Sequence, residues 1–183
     1  GRARGVRSGS MLRAALPTDT PALVALGVAT GLFSPDEADA LLRDVLDQLH
    51  AGQLGDDHFA HVAVDDVSGV PSGWVYFSRE EKANDVWQLW WIGVRPLLHR
   101  RGVGAALLRH VEEQVRANGG RVLLISTSSL PPLEGSRRFY VKSGYVECGR
   151  IPDYYADGDD QVIFARRLAP APLGPPSRPA WRG

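Results

Sequence analysis

A single cysteine, Cys148, stands in 183 residues. That excludes an internal disulfide and any cysteine-clustered zinc site, and it suits a reducing, cytoplasmic setting. Net charge is missing too, with 21 Lys and Arg against 21 Asp and Glu, so no bulk field draws the chain to nucleic acid or to anionic lipid. Any anion site has to be local. Long apolar runs are lacking: the longest stretch, Ala22 to Phe33, is interrupted by Gly27, Thr30 and Gly31 and is too short to span a bilayer. His58 and His61 lie three apart in a strand-like segment and therefore point to opposite faces, which leaves no metal site there. No internal repeat occurs.

What remains is the composition of one soluble globular domain, 44% hydrophobic and 23% charged, long enough to bury a sizeable core. The two ends differ from the middle. Residues 1–10, "GRARGVRSGS", are expected to be a disordered leader or an added scar rather than a targeting peptide. Beyond Leu168, "APAPLGPPSRPAWRG" carries five prolines, as in an extended, disordered tail. The folded domain is expected to occupy 11–168.

Between these limits, short segments rich in Val and aromatics predict strands at 12–16, 58–64, 73–78, 86–94, 121–127, 145–148 and 161–168. Helix starts are marked by "TDTP" at 18–21 and by the capping box "SPDE" at 34–37. The second opens an apolar stripe of Ala38, Leu41, Leu42, Val45, Leu46 and Leu49. A third helix runs from about Gly102 to Asn118, with Val103, Leu107, Leu108, Val111 and Val115 on one face, and a short one covers 136–143. The order predicts an α/β (α+β) fold: a mixed, mostly antiparallel central sheet of about seven strands with about four helices on its faces. Trp74, Trp87, Trp90 and Trp91 suit core packing better than an aromatic wall for a cationic amine.

The most informative stretch is "LHRRGVGAALL" at 98–108, where a strand runs into a Gly-x-Gly turn and then a helix. Such a turn gathers free backbone N–H groups at the positive end of a helix dipole. Glycine at 102 and 104 removes the Cβ atoms that would hold a phosphate away, and Arg100 and Arg101 add charged donors. Two phosphate motifs fail here. A dinucleotide fingerprint needs Gly or Ala where Leu107 stands, and a P-loop needs the missing Gly-Lys-Ser/Thr.

"WIGVRPLLHRRGVGAALL", followed about 30 residues later by "SRRFYVKSGY", resembles the GNAT superfamily of N-acetyltransferases. "GLFSPDE", "TSS" at 127–129 and "RIPDYYADGDDQVIFARRL" at 150–168 are similar to a bacterial subgroup of it. The resemblance implies acetyl-CoA as cosubstrate, with its pyrophosphate on the N–H groups of Arg101, Gly102, Val103, Gly104 and Ala105. It also implies that Ile92, Gly93 and Val94 line the pantetheine in a slot where this strand bulges, a role Gly93 suits. Arg100 and Arg137 join the cofactor contacts. His99 departs from the motif's Arg or Gln. Tyr140 matches the tyrosine that protonates the leaving thiolate. Glutamates are implied where this chain has Gln88 and Ser126, so the general base is open among Asp85, Glu80, Glu81, Asp153, Asp160 and a water chain.

The function expected from the resemblance is direct acetyl transfer to a primary amine of a small molecule, with neither nucleic acid nor membrane as partner and with room for a homodimer. The alternatives are a protein N-terminal or lysine acetyltransferase and a non-catalytic acyl-CoA-binding domain. The turn alone is equally compatible with a solvated basic loop.

Overall fold

The computed structural model describes residues 9–168; most of the expected leader and all of the expected tail lie outside the described residues. One seven-stranded sheet runs in the order β1-β2-β3-β4-β5-β7-β6. Its strands are β1 (Ser10–Ala14), β2 (His58–Asp65), β3 (Pro71–Arg79), β4 (Val86–Val94), β5 (Val122–Ser128), β6 (Val146–Ala156) and β7 (Asp159–Arg167). The helices are α1 (Thr20–Ala29), α2 (Pro35–Ala38), α3 (Asp44–His50), α4 (Val103–Ala117) and α5 (Glu134–Lys142). A π-helical turn, Asp39–Arg43, joins α2 to α3 without a break, so the expected second helix is one body over 35–50.

Two differences from the sequence reading have physical causes. Ser10 already pairs with Asp65, so the first strand begins inside the segment expected to be a leader. The sixth strand runs to Ala156 rather than ending at Cys148, because β6 and β7 form a long hairpin whose register shifts between Ile151 and Ala156. Polar "PDYYADG" hides that strand from a search for apolar alternation.

Every neighbouring pair of strands is antiparallel except β4 and β5, which α4 connects as a crossover. On one face, Leu107, Leu108, Val111 and Val115 of α4, Tyr140 of α5 and Tyr145 just beyond it are buried against Val75, Phe77, Trp87, Leu123, Ile125 and Phe164. On the other, α1 and the 35–50 helix bury Leu23, Leu26, Leu42 and Leu46 against Val62, Val64 and Trp74. Truncating one such leucine to alanine costs about 2–5 kcal/mol. Gly27 permits the second layer: a Cβ there would lie 2.2 Å from Leu42 Cδ1.

A buried ionic network ties the first layer together. Arg166 on β7 donates to both carboxylate oxygens of Glu112 on α4 at 2.9 and 3.0 Å, and to the Ser143 carbonyl at 3.2 Å. The Tyr145 hydroxyl donates to Glu112 at 3.0 Å. Removing Arg166 would leave the buried Glu112 carboxylate uncompensated, which costs several kcal/mol; the end of α5 is thereby fixed onto α4.

On the same face His61 of β2 meets His110 of α4, Nδ1 to Nε2, at 2.6 Å, with Phe59 and Phe77 edge-on to the His61 ring. Burial, and secondarily His110, push the His61 imidazole down to about 4; burial also lowers His110, against the opposing pull of Glu113. Because the folded state binds the proton more weakly than the unfolded chain does, this contribution is intact above about pH 6.5 and is lost as pH falls toward about 4. Denaturant midpoints measured across that window should fall in the wild type and fall less in His61→Phe. Identical slopes in both would refute the assignment.

Candidate active site

The parallel ladder between β4 and β5 is short, pairing Val86–Leu89 with Val122–Ile125. Beyond it each strand follows its antiparallel neighbour: β4 continues along β3 to Val94↔Gly73, and β5 continues along β7 to Ser128↔Gln161. The strands therefore part after Leu89 and leave a fork with open backbone edges.

A bulge produces the divergence. Tyr76 pairs with Trp91 but Phe77 pairs with Leu89, so Trp90 is the extra residue, not Gly93 as the sequence suggests. The Trp90 indole N–H donates to Ser78 Oγ at 2.8 Å and pins it. One extra residue reverses the alternation of faces. Trp87 and Leu89 pack toward α4 before the bulge, and Ile92 and Val94 do so after it. Gly93 has a different reason to be glycine. Its Cβ would lie 2.3 Å from the Trp91 ring, which packs against Phe33 and Trp74 at 5.3 and 5.8 Å. Ile92 and Val94 thus offer the fork their backbone edge rather than their side chains.

At the end of β4, residues 95–102 turn into α4. Arg100 and Gly102 both take positive φ, 63° and 84°; the first costs an L-residue roughly 1 kcal/mol, and the second is why glycine stands at 102. The first backbone bond entering the helix runs from Ala106 N–H to Gly102 O. Among the described residues, the N–H groups of Gly102, Val103, Gly104 and Ala105 have no acceptor, whereas that of Arg101 is taken by Leu98 O at 3.2 Å. Four free donors at a helix N-terminus suit an anion. A Cβ on Gly104 would meet Phe139 and Val94 only at 3.7 Å, so the protein itself does not require glycine there.

The side chains expected at this turn divide into two groups. Arg100 and Arg101 are exposed beside the free donors. His99 instead turns back, with Nε2 3.1 Å from the Val94 carbonyl. Arg137 donates to the carbonyls of Ser128 and Leu130 at 2.7 and 3.0 Å, clamping α5 to the end of β5. One turn further along α5, Tyr140 is buried between Phe139, Tyr145 and Phe164. Its hydroxyl has no hydrogen-bond partner among the described residues, yet it is not one of the polar atoms sealed from solvent. Burial holds the phenol well above its ordinary value, so it keeps its proton at neutral pH.

On the opposite face of the fork, Gln88 Nε2 donates to Ser126 Oγ at 3.3 Å. The two positions singled out for lacking glutamate are thus neighbours across the β4–β5 junction, joined as a neutral pair. The five carboxylates considered as bases lie elsewhere or are engaged. Asp85 is bound to Arg79 at 2.7 Å and sits at the start of β4, about 15 Å of extended chain from Trp90. Glu80 and Glu81 share its end of the sheet, where a cavity of about 490 Å³ opens between the loops at 54–58 and 79–85. Asp153 accepts from Gly158 N–H at 2.7 Å, and Asp160 accepts from Asp153 N–H at 3.0 Å and from Arg150 at 3.2 Å. The backbone bond from Asp153, with Arg150 adding to it, holds Asp160 below the usual carboxylate range.

One further carboxylate lies beside β5, on the face that carries Ser126. Asp159 accepts a hydrogen bond from Ser128 Oγ, two residues beyond Ser126 on the same face of β5. Both halves of this pair lie in stretches quoted above, "TSS" and "DGDD"; the β5–β7 register that joins them is long-range and leaves no local mark.

Residues 28–145 match the acetyltransferase (GNAT) family, more than half of the chain, and the chain belongs to that family. Solved structures agree. A GNAT-family acetyltransferase from Desulfovibrio desulfuricans is 28% identical with a TM-score of 0.79, covering 88% of this chain and 100% of that one. The ribosomal-protein-S18-alanine N-acetyltransferase of Escherichia coli is 18% identical with a TM-score of 0.70, covering 92% and 99%. The aminoglycoside 6'-N-acetyltransferase of Enterococcus faecium is 18% identical with a TM-score of 0.71, covering 88% and 99%. The last two show the shared fold alone. No curated protein matches.

Gly104→Glu puts bulk and negative charge over the free N–H groups while favouring the helix start electrostatically. Calorimetry should show acetyl-CoA binding abolished with the circular dichroism spectrum unchanged. Affinity equal to wild type would remove the turn from the site.

Proposed function

We propose that this chain transfers an acetyl group from acetyl-CoA directly to a primary amine of a small molecule, with no covalent enzyme intermediate. The observation that carries the reading is the coincidence of two features at one end of β4: a fork with unpaired backbone edges and a helix start with four unbonded N–H groups. A long, flexible donor carrying amides and phosphates fits both. Gly102, Val103, Gly104 and Ala105 would hold the pyrophosphate, with Arg100 and Arg101 beside it, and the edges of Ile92, Gly93 and Val94 would take the amides of the arm. Cys148 is exposed and unpaired on the outer strand β6, away from the fork, and matches no nucleophile position. The proposed location is the cytoplasm, which the single cysteine suits.

Two proton movements have to be arranged. A departing thiolate needs a proton, and Tyr140 holds one. With ordinary values of about 10 for tyrosine and 8.5 for a thiol, the transfer is uphill by roughly 2 kcal/mol, and burial of Tyr140 increases this. The proton therefore moves as the C–S bond breaks. An alkyl ammonium must also lose a proton before attack. At pH 7 it is neutral in about one molecule per 2,500, a cost of roughly 4.6 kcal/mol.

The neutral Gln88–Ser126 pair favours a second reading, a non-catalytic acyl-CoA-binding domain. A panel of primary amines assayed for release of free CoA separates the two, since only the enzyme turns over. With an accepted amine in hand, Tyr140→Phe should lower kcat about 10²-fold or more while leaving acetyl-CoA affinity unchanged. A mutant as fast as wild type would make Tyr140 a packing residue.

A further inference from the structure

We infer that Ser128 and Asp159 form the proton-accepting relay for the acceptor amine, with Ser128 touching the nitrogen and Asp159 receiving the proton through it. This rests on the amine-acetylation reading above.

The geometry places the two proton movements on opposite sides of the fork. Leu123 and Ile125 share a core with Tyr140, so Ser126 and Ser128, which alternate with them along β5, face the other way. A nucleophile and a leaving group on one carbonyl carbon want that separation. Ser128 Oγ accepts from Leu130 N–H at 3.0 Å and donates to Asp159, which fixes its proton toward the carboxylate and leaves a lone pair for an incoming N–H. Arg137, one turn before Tyr140, donates to the Ser128 carbonyl at 2.7 Å, so the acid's helix and the relay's strand are held together.

Around Asp159 the groups are few. Tyr155 approaches from β6, Gln161 follows on β7, and the neighbouring carboxylate, Asp160, is paired with Arg150. No cation among the described residues forms an ion pair with Asp159 within 4 Å, and a relay needs that freedom, since an ion-paired carboxylate holds a proton poorly.

The step balances. The ammonium passes one proton to Ser128 Oγ as the Ser128 proton moves to the Asp159 carboxylate. The neutral nitrogen forms a bond to the thioester carbonyl carbon, and the C–S bond breaks. The sulfur takes the Tyr140 proton, which solvent restores, and the nitrogen gives its second proton to solvent on its own side of the fork. Asp159 then returns its proton to solvent, so the net products are amide, CoA thiol and one proton.

The test is the pH profile of kcat/KM for the fastest amine from a panel of amino-acid amides, alkyl monoamines and polyamines, with acetyl-CoA affinity measured by calorimetry. In wild type the relay accepts the ammonium form, so log kcat/KM should be flat from about pH 6 to about pH 8. In Asp159→Asn and in Ser128→Ala, free amine alone should react. Activity should then drop about 10²-fold near neutrality and rise with unit slope toward the amine's own pKa, at unchanged acetyl-CoA affinity. A purely structural role would lower activity without converting a plateau into a slope. The inference fails if Asp159→Asn keeps the plateau and the rate, or if wild type itself shows unit slope, in which case the proton leaves to water and the acetyltransferase reading stands. If acetyl-CoA binds but no amine releases CoA at any pH, the reading fails and the relay with it.

Discussion

A strand edge can serve one partner at a time, and the site depends on how β4 and β5 divide their edges. They share four residue pairs and then separate, each committed to an antiparallel neighbour on its outer side. The inner edges are left with backbone donors and acceptors that a buried sheet would not tolerate unpaired. In the proposed reading the missing partner is the acyl donor that enters the fork, and the polar demand of the backbone becomes the binding surface.

The same bulge that opens the fork also sorts its faces. Trp90 shifts the phase of β4, so Ile92 and Val94 anchor the strand end to α4 while Trp91 turns toward Phe33 and Trp74. The layer bearing α4 and α5 therefore carries the turn with four unbonded N–H groups and the buried phenol of Tyr140 on one unit. Glu112, Arg166 and Tyr145 lock that unit internally. The opposite face carries neutral hydroxyls and an amide, with Asp159 behind Ser128. Bulk charge plays no part in this arrangement; the chain is neutral, and the field at the site is local, from a helix end, Arg100 and Arg101 beside it, and a few oriented dipoles.

Much of this was legible in the sequence because it is local. The strand and helix order and the Gly-x-Gly turn that leads into α4 each follow from a stretch of ten or so residues, and "RRFYVKSGY" carries the family resemblance within ten. The rest depends on register. Gly93 looks like a bulge residue, but whether a strand bulges at 90 or 93 is set by pairing with β3, and Gly93 turns out to make room for an indole. The carbonyls that Arg137 meets, those of Ser128 and Leu130, come into view only once β5 is folded beside α5. Asp159 could not be connected to Ser128 without knowing that β7 returns beside β5. The long β6 was hidden because its outer half is polar and exposed.

The central claim is that the fork and the turn at the start of α4 together receive the acyl donor. An amide-resolved nuclear magnetic resonance titration with CoA tests it most directly. The account predicts the largest shifts at the backbone N–H groups of Gly102, Val103, Gly104 and Ala105, together with Ile92–Val94 and residues 126–128, and little change around the cavity at 54–58 and 79–85. Shifts concentrated at that cavity, with the turn and the fork unmoved, would contradict it.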